Sequence, residues 1–172
     1  MLRRVALALL VALALAALGG CGDDDGGEKE MTGLAADPTK DQYIAAADEV
    51  CQHLYEQRDP VSEQAAVAAQ RGDTGLAADA FDNAADITDA RFAELANLPR
   101  PAGDEARLGR LWERGAESAA LGREAAAALR QGEQAEFARA AQRGAANTAR
   151  LGREAVAYGF LVCGRGAAVE IG

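Results

Sequence analysis

The chain has few of the side chains on which enzymes most often rely. Its 172 residues include one histidine, His53, and two serines, Ser62 and Ser118. A Ser-His-Asp triad would have to join His53 to one of those serines, and neither sits in a Gly-x-Ser-x-Gly elbow. A di-iron bundle needs Glu-x-x-His on two helices, which one histidine cannot supply. A haem held by Met and His at opposite ends of a bundle fails too, because Met31 precedes the helical part of the chain. The three cysteines form no Cys-x-x-Cys motif, which removes the usual dithiol redox arrangement. Aromatic residues make up 5% of the chain, so little is available to line an apolar pocket. β-branched residues are sparse and no stretch alternates with a period of two, which argues against strands.

The N-terminus supplies an address. Met1-Leu2-Arg3-Arg4 is basic, Val5 to Leu18 is an unbroken apolar run, and Leu18-Gly19-Gly20 precedes Cys21. A basic start, a short apolar run and small residues before a cut site read as a secretory signal. The run falls short of the roughly 20 apolar residues a membrane-spanning helix needs, which favours a signal over an anchor helix. A plain secretory signal would fit the same two regions. Cys21, however, is the odd one of three cysteines, and a lone exported thiol needs an explanation. Leu-Gly-Gly-Cys resembles the lipobox of bacterial lipoproteins. That resemblance implies removal of residues 1–20, a diacylglycerol thioether on Cys21, and an extracytoplasmic protein anchored to the cell membrane through lipid. Two or more acyl chains, at about 0.8 kcal/mol per buried CH2, would make such attachment stable.

Loss of Arg3 and Arg4 with the signal leaves 152 residues carrying 16 Lys+Arg and 27 Asp+Glu, a net charge near −11. So acidic a chain is poorly suited to nucleic acid or to anionic head groups. The charge is divided unevenly, about −13 over residues 22–98 and +2 over 99–172, which favours packing one half against the other. Residues 21–38 hold the lipidation cysteine and a flexible acidic, Gly-rich tether. Its 17 residues after Cys21 would reach on the order of 20 Å. Asp23, Asp24 and Asp25 are consecutive, unlike the alternating oxygens of an EF-hand loop, and read as a solvated spacer.

From Asp37 onward the composition is helical, and residues 39–172 are expected to form one bundle domain. Thr39 and Gln42 have capping-box spacing, followed by Tyr43, Ile44, Ala47, Val50, Cys51 and Leu54 on one face. Asp59-Pro60 predicts a restart with a small extra turn at 60–71, and Gly72-Asp73-Thr74-Gly75 a break. A second long helix over Leu76 to about Leu98 aligns Phe81, Ala84, Thr88, Phe92 and Leu95, and ends before Pro99-Arg100-Pro101. A third, from near Asp104, turns Leu108, Leu111, Trp112, Gly115, Leu121, Ala125 and Leu129 inward. After Gln131-Gly132 a fourth follows Phe137, Ala141, Gly144, Thr148, Leu151, Ala155, Tyr158 and Val162. The expected fold is all-α, an antiparallel four-helix bundle.

Leu121-Gly122-Arg123-Glu124-Ala125 recurs as Leu151-Gly152-Arg153-Glu154-Ala155, either the trace of a helical duplication or a product of biased composition. Gly115, Gly122, Gly144 and Gly152 would let the third and fourth helices approach closely and leave little volume for a buried ligand. Cys51 and Cys163 lie on apolar faces of the first and last helices, which can be neighbours in such a bundle, and outside the cytoplasm thiols oxidise. A structural disulfide is expected. Tyr43-Ile44-Ala45-Ala46-Ala47-Asp48-Glu49-Val50-Cys51 and Ala155-Val156-Ala157-Tyr158-Gly159-Phe160-Leu161-Val162-Cys163-Gly164 resemble the two ends of small, helical, Ala-rich actinobacterial lipoproteins of uncharacterised function. The resemblance implies an exported, disulfide-linked bundle and brings no activity.

Two acidic patterns complete the reading. Glu49 and His53 share a helix face but have no third ligand for a metal, so a surface ion pair is expected. Asp79, Asp82, Asp86 and Asp89 form a carboxylate ladder that could take a divalent cation or a basic partner. Alternatively it is solvated, or paired with Arg107, Arg110, Arg114, Arg143 or Arg150. The favoured function is a non-enzymatic, membrane-tethered module, without cofactor, that engages another envelope protein or a small ligand. The alternative is an enzyme or metal-binding envelope protein acting through the Asp79–Asp89 carboxylates.

Overall fold

The computed structural model describes residues 33–165. Residues 1–20, Cys21 and the tether through Thr32 lie outside the described residues. The chain forms four helices, α1 (Lys40–Gln70), α2 (Thr74–Asn97), α3 (Glu105–Gln131) and α4 (Gln134–Tyr158), packed as an antiparallel four-helix bundle. Among the described residues there is no strand, and no helix is long and apolar enough to cross a membrane.

Local chemistry accounts for the boundaries. Thr39 and Gln42 form the capping box expected from their spacing: the Thr39 hydroxyl accepts from the Gln42 N–H and the Gln42 amide oxygen from the Thr39 N–H. Asp73 caps α2 by accepting from the Leu76 N–H at 3.0 Å. Gly132 ends α3 in the left-handed region (φ 71°), where glycine carries no Cβ penalty. Gly159, at φ 123°, ends α4. The last described residues therefore follow α4 as a separate segment, where continuous helix to Val162 was expected.

Two further expectations are corrected. Asp59-Pro60 does not restart the chain, because α1 runs through Pro60 without a break. Proline removes one hydrogen bond to the carbonyl of Glu56, but both residues are exposed, so water can satisfy that oxygen while the flanking helix formers carry on. The chain ahead of α1 is not all solvated either: Leu34 packs on the core and Pro38 is buried.

The core has two parts. Tyr43, Val50, Leu54, Phe92, Leu95, Leu108, Leu111, Trp112, Tyr158 and Phe160 form the larger, aromatic-rich cluster. The smaller, at the α1–α2 and α3–α4 turns, is Ala68, Ala77, Ala78, Ala126 and Leu129, with Phe81 and Phe137 edge-on at 5.8 Å. All seven inward positions expected on α3 are buried, and on α4 Ala140 takes the buried place expected of Ala141. Gly115 and Gly122 face α2, not α4. A Cβ on Gly115 would land in the Phe92 ring, and one on Gly122 would lie 3.5 Å from the Ala85 Cβ. The glycines therefore draw α3 against α2.

Candidate functional site

In chain order each helix packs on the next, but α1 and α4 nowhere bring their Cα atoms within 8 Å of one another. Side chains explain the open seam. Between Leu54 and Ala65 the inner side of α1 offers Tyr55, Arg58, Asp59 and Ser62, and the opposing stretch of α4 offers Ala145, Ala146, Thr148, Ala149 and Gly152. Leu151 is the large aliphatic side chain that this stretch of α4 brings to the groove, and the polar groups of α1 give it little to interdigitate with, so the helices stay apart. A groove of about 800 Å³ results, floored by α2 and α3 through Phe81, Ala84, Ala85, Phe92, Trp112 and Gly122. That volume is within the usual range for small-molecule sites.

One end of the seam is closed by the chain beyond α4. Asp48 of α1 accepts three backbone N–H bonds, from Leu161 at 2.9 Å through Oδ2, and from Val162 and Cys163 at 3.0 and 2.9 Å through Oδ1. Beside it lies the Cys51–Cys163 disulfide, with Cα atoms 5.2 Å apart. The expected pairing is present, reached through the segment after α4 and not through contact of two helices. Phe160 is drawn beneath this clamp, with its ring centroid 5.4 Å from that of Trp112 and 4.9 Å from that of Tyr158.

On the floor, Thr88 donates to the Ala84 carbonyl at 2.7 Å and Ser118 to the Arg114 carbonyl at 3.5 Å; Asn147 of α4, outside the lining, donates to Ser118 Oγ at 2.9 Å and to the Arg114 carbonyl at 2.8 Å. Trp112 Nε1 donates to the Tyr43 hydroxyl at 2.8 Å, and the Tyr158 hydroxyl donates to Asp104 at 2.7 Å. Burial pushes all three phenols up from their ordinary range. For Tyr158 the hydrogen bond to Asp104 adds to this effect, and for Tyr43 the bond from Trp112 works against it. The rim holds Tyr55, with Arg58 and Arg165 guanidiniums 5.0 and 4.8 Å from its ring centroid.

The four ladder carboxylates are bound to arginines of α3. Arg123 holds Asp86 at 2.8 Å and Asp89 at 2.6 Å, and Arg130 holds Asp79 at 2.8 Å and Asp82 at 2.6 Å. Pairing with a neighbouring helix is thus correct in kind, but the partners are not the five arginines expected. Glu154 of α4 is reached by Arg114 of α3 and by Arg150 of its own helix. Burial opposes ionisation of Glu154, but these two arginines outweigh it and hold the carboxyl below the usual range. Glu49 and His53 are both exposed and form no ion pair with each other. Among the described residues no three His, Cys, Asp or Glu side chains converge as a metal site.

Sequence reasoning missed the groove. It foresaw little internal volume, yet one signal was present: on α1 and α4 large apolar residues thin out at the same level of the bundle. No protein-family model, no curated protein and no solved structure matches the chain.

Proposed function

We propose that the protein is a lipid-anchored, extracytoplasmic binding module with a non-enzymatic role at the cell envelope, and that its ligand occupies the α1–α4 groove. The observation that carries the binding reading is the open seam itself: one side of a four-helix bundle is left unfilled at about 800 Å³ and lined from all four helices. The tethering half of the proposal rests on the basic start, the apolar run and Leu18-Gly19-Gly20-Cys21. A disulfide in a chain without a dithiol motif accords with an oxidising compartment.

A carboxylate enzyme at Asp79–Asp89 gains nothing from the geometry, since each ladder carboxylate is held by an arginine and faces away from the groove lining.

Two measurements test the proposal. Intact mass of the full chain recovered from its membrane should show loss of residues 1–20 and addition of a diacylglyceryl group that Cys21→Ser abolishes; an unprocessed or unmodified chain refutes the tether. Native and denaturing spectra should differ by a retained small molecule, and Ala149→Phe, which places a ring in the groove, should remove that difference. A retained mass indifferent to Ala149→Phe refutes the groove as its site.

A further inference from the structure

The geometry points to an anionic, single-chain amphiphile, with a carboxylate-type head and an aliphatic tail, as the occupant of the α1–α4 groove. The inference rests on the reading of that groove as the ligand site and names the class of ligand. Charge separates the groove from the rest of the molecule. The chain carries a net charge of −9, yet among the described residues the charged groups lining the groove are Arg58, Arg165 and a single carboxylate, Asp59. Asp59 engages Arg58 at 3.4 Å, while Arg165 enters no ion pair among the described residues and rests on the Tyr55 ring. A monoanion between the two guanidiniums would balance the lining, and guanidinium suits carboxylate because two N–H groups can meet two oxygens.

The floor selects the tail. Thr88 and Ser118 have spent their hydroxyls on internal carbonyls, and the remaining floor is Phe, Trp, Ala and Gly. That floor gives a polar ligand no directional partner, the polar side chains Ser62, Gln142 and Thr148 being contributed by α1 and α4, and an aliphatic chain laid on the floor leaves no buried donor or acceptor there unpaired. The α1 side of the groove, from Cys51 to Ser62, is about 16 Å long, a run that an extended aliphatic chain can follow.

Trp112 is the only tryptophan and lines the groove, so it reports occupancy directly. The full chain, purified without detergent, would be titrated with laurate, lauryl alcohol and dodecyltrimethylammonium, with bromine-labelled laurate read by quenching of Trp112. Laurate should bind at least about tenfold more tightly than the other two. Arg58→Gln and Arg165→Gln should each weaken laurate about ten- to a hundredfold, the range for one charge-assisted hydrogen bond, and leave lauryl alcohol unchanged. Arg165→Lys should recover part of the loss, and unchanged urea midpoints would show that the variants fold. Equal binding of laurate and lauryl alcohol, both blocked by Ala149→Phe, overturns the anionic class while leaving the groove as the site. Laurate binding indifferent to Ala149→Phe, absence of quenching, or a dimer that excludes laurate overturns both readings.

Discussion

Replacing both Cys51 and Cys163 by alanine tests how the bundle is closed. The disulfide bridges a sequence separation of 112, and in the chain-entropy relation a loop of that length corresponds to about 4.8 kcal/mol of constraint on the unfolded chain. The measured loss should be smaller, about 2–4 kcal/mol, because a real unfolded chain retains structure and is more compact than the ideal one of that relation. With a urea slope near 1.5 kcal/mol/M, a loss of 3 kcal/mol lowers the midpoint by about 2 M. Asp48→Asn provides the second arm. While the disulfide is intact the segment stays within reach, and the substitution should cost about 1–3 kcal/mol in weakened bonds. In the disulfide-free background the same change also releases Phe160 from beneath the clamp, so the two losses should exceed additivity by more than about 0.5 kcal/mol. Urea denaturation of the four proteins completes the cycle. A midpoint shift below about 0.5 M for the double cysteine variant, or strict additivity with Asp48→Asn, would refute the view that the two devices clamp one segment.

Other perturbations isolate other parts of the fold. Gly115→Ala gains about 1 kcal/mol of helix propensity but forces a methyl into the Phe92 ring, where overpacking costs 1–3 kcal/mol, roughly; a net destabilisation relieved by Phe92→Leu is expected, and a stabilised single variant would contradict the packing. Pro60→Ala restores the missing hydrogen bond in an unbroken helix and should raise stability by about 1–3 kcal/mol, measured by urea midpoint; a fall would show that the proline is needed. The tyrosines should titrate above the ordinary phenol value of 10.0 in the folded protein, seen by ultraviolet absorbance against a urea-unfolded control. Since their folded values are raised, the stability they contribute is complete below about pH 10 and falls as pH rises further, and a folded tyrosine titrating at or below the control would refute the burial. Arg123→Gln and Arg130→Gln release exposed carboxylates and should leave the urea midpoint close to that of the parent chain; a clear fall would give the ladder a structural weight its exposure does not suggest.

What could be read without coordinates depended on contrast between neighbouring side chains. Leu108, Leu111 and Trp112 stand out against the arginines and glutamates around them, so the large residues on the inner face of α3 were legible, while the buried Ala119, Ala126 and Ala128 were not. On α4 the run Ala138 to Ala141 offers alanine at three of four positions, and nothing local distinguishes Ala140, which is buried, from Ala141, which is not. Pro60 misled because a missing N–H is decisive only where the orphaned carbonyl has no water, and exposure is not written in the residue type. The ladder of Asp79 to Asp89 was visible as a repeat, but choosing Arg123 and Arg130 over five other arginines requires the rotation of α3 against α2. The groove was hidden for a related reason: it is an absence shared by two helices far apart in sequence, and becomes apparent only when Arg58 and Ala149 are set across from one another. Asp48 looked like any solvent-facing acid, because its three partners are backbone groups that no side-chain pattern advertises.

The Asp48 clamp bears on the order in which the molecule can be completed. Ribosomes deliver α1 first and residues 161–163 more than a hundred positions later, so the helix with the most to gain from closure waits for almost the whole chain. A nascent chain cut short before Cys163 holds Cys51 without its mate, and the thiol state of Cys51 becomes a mark of whether the chain extends through Cys163. Alkylation of exported chains carrying Cys21→Ser would distinguish molecules that extend through Cys163 from those truncated before it.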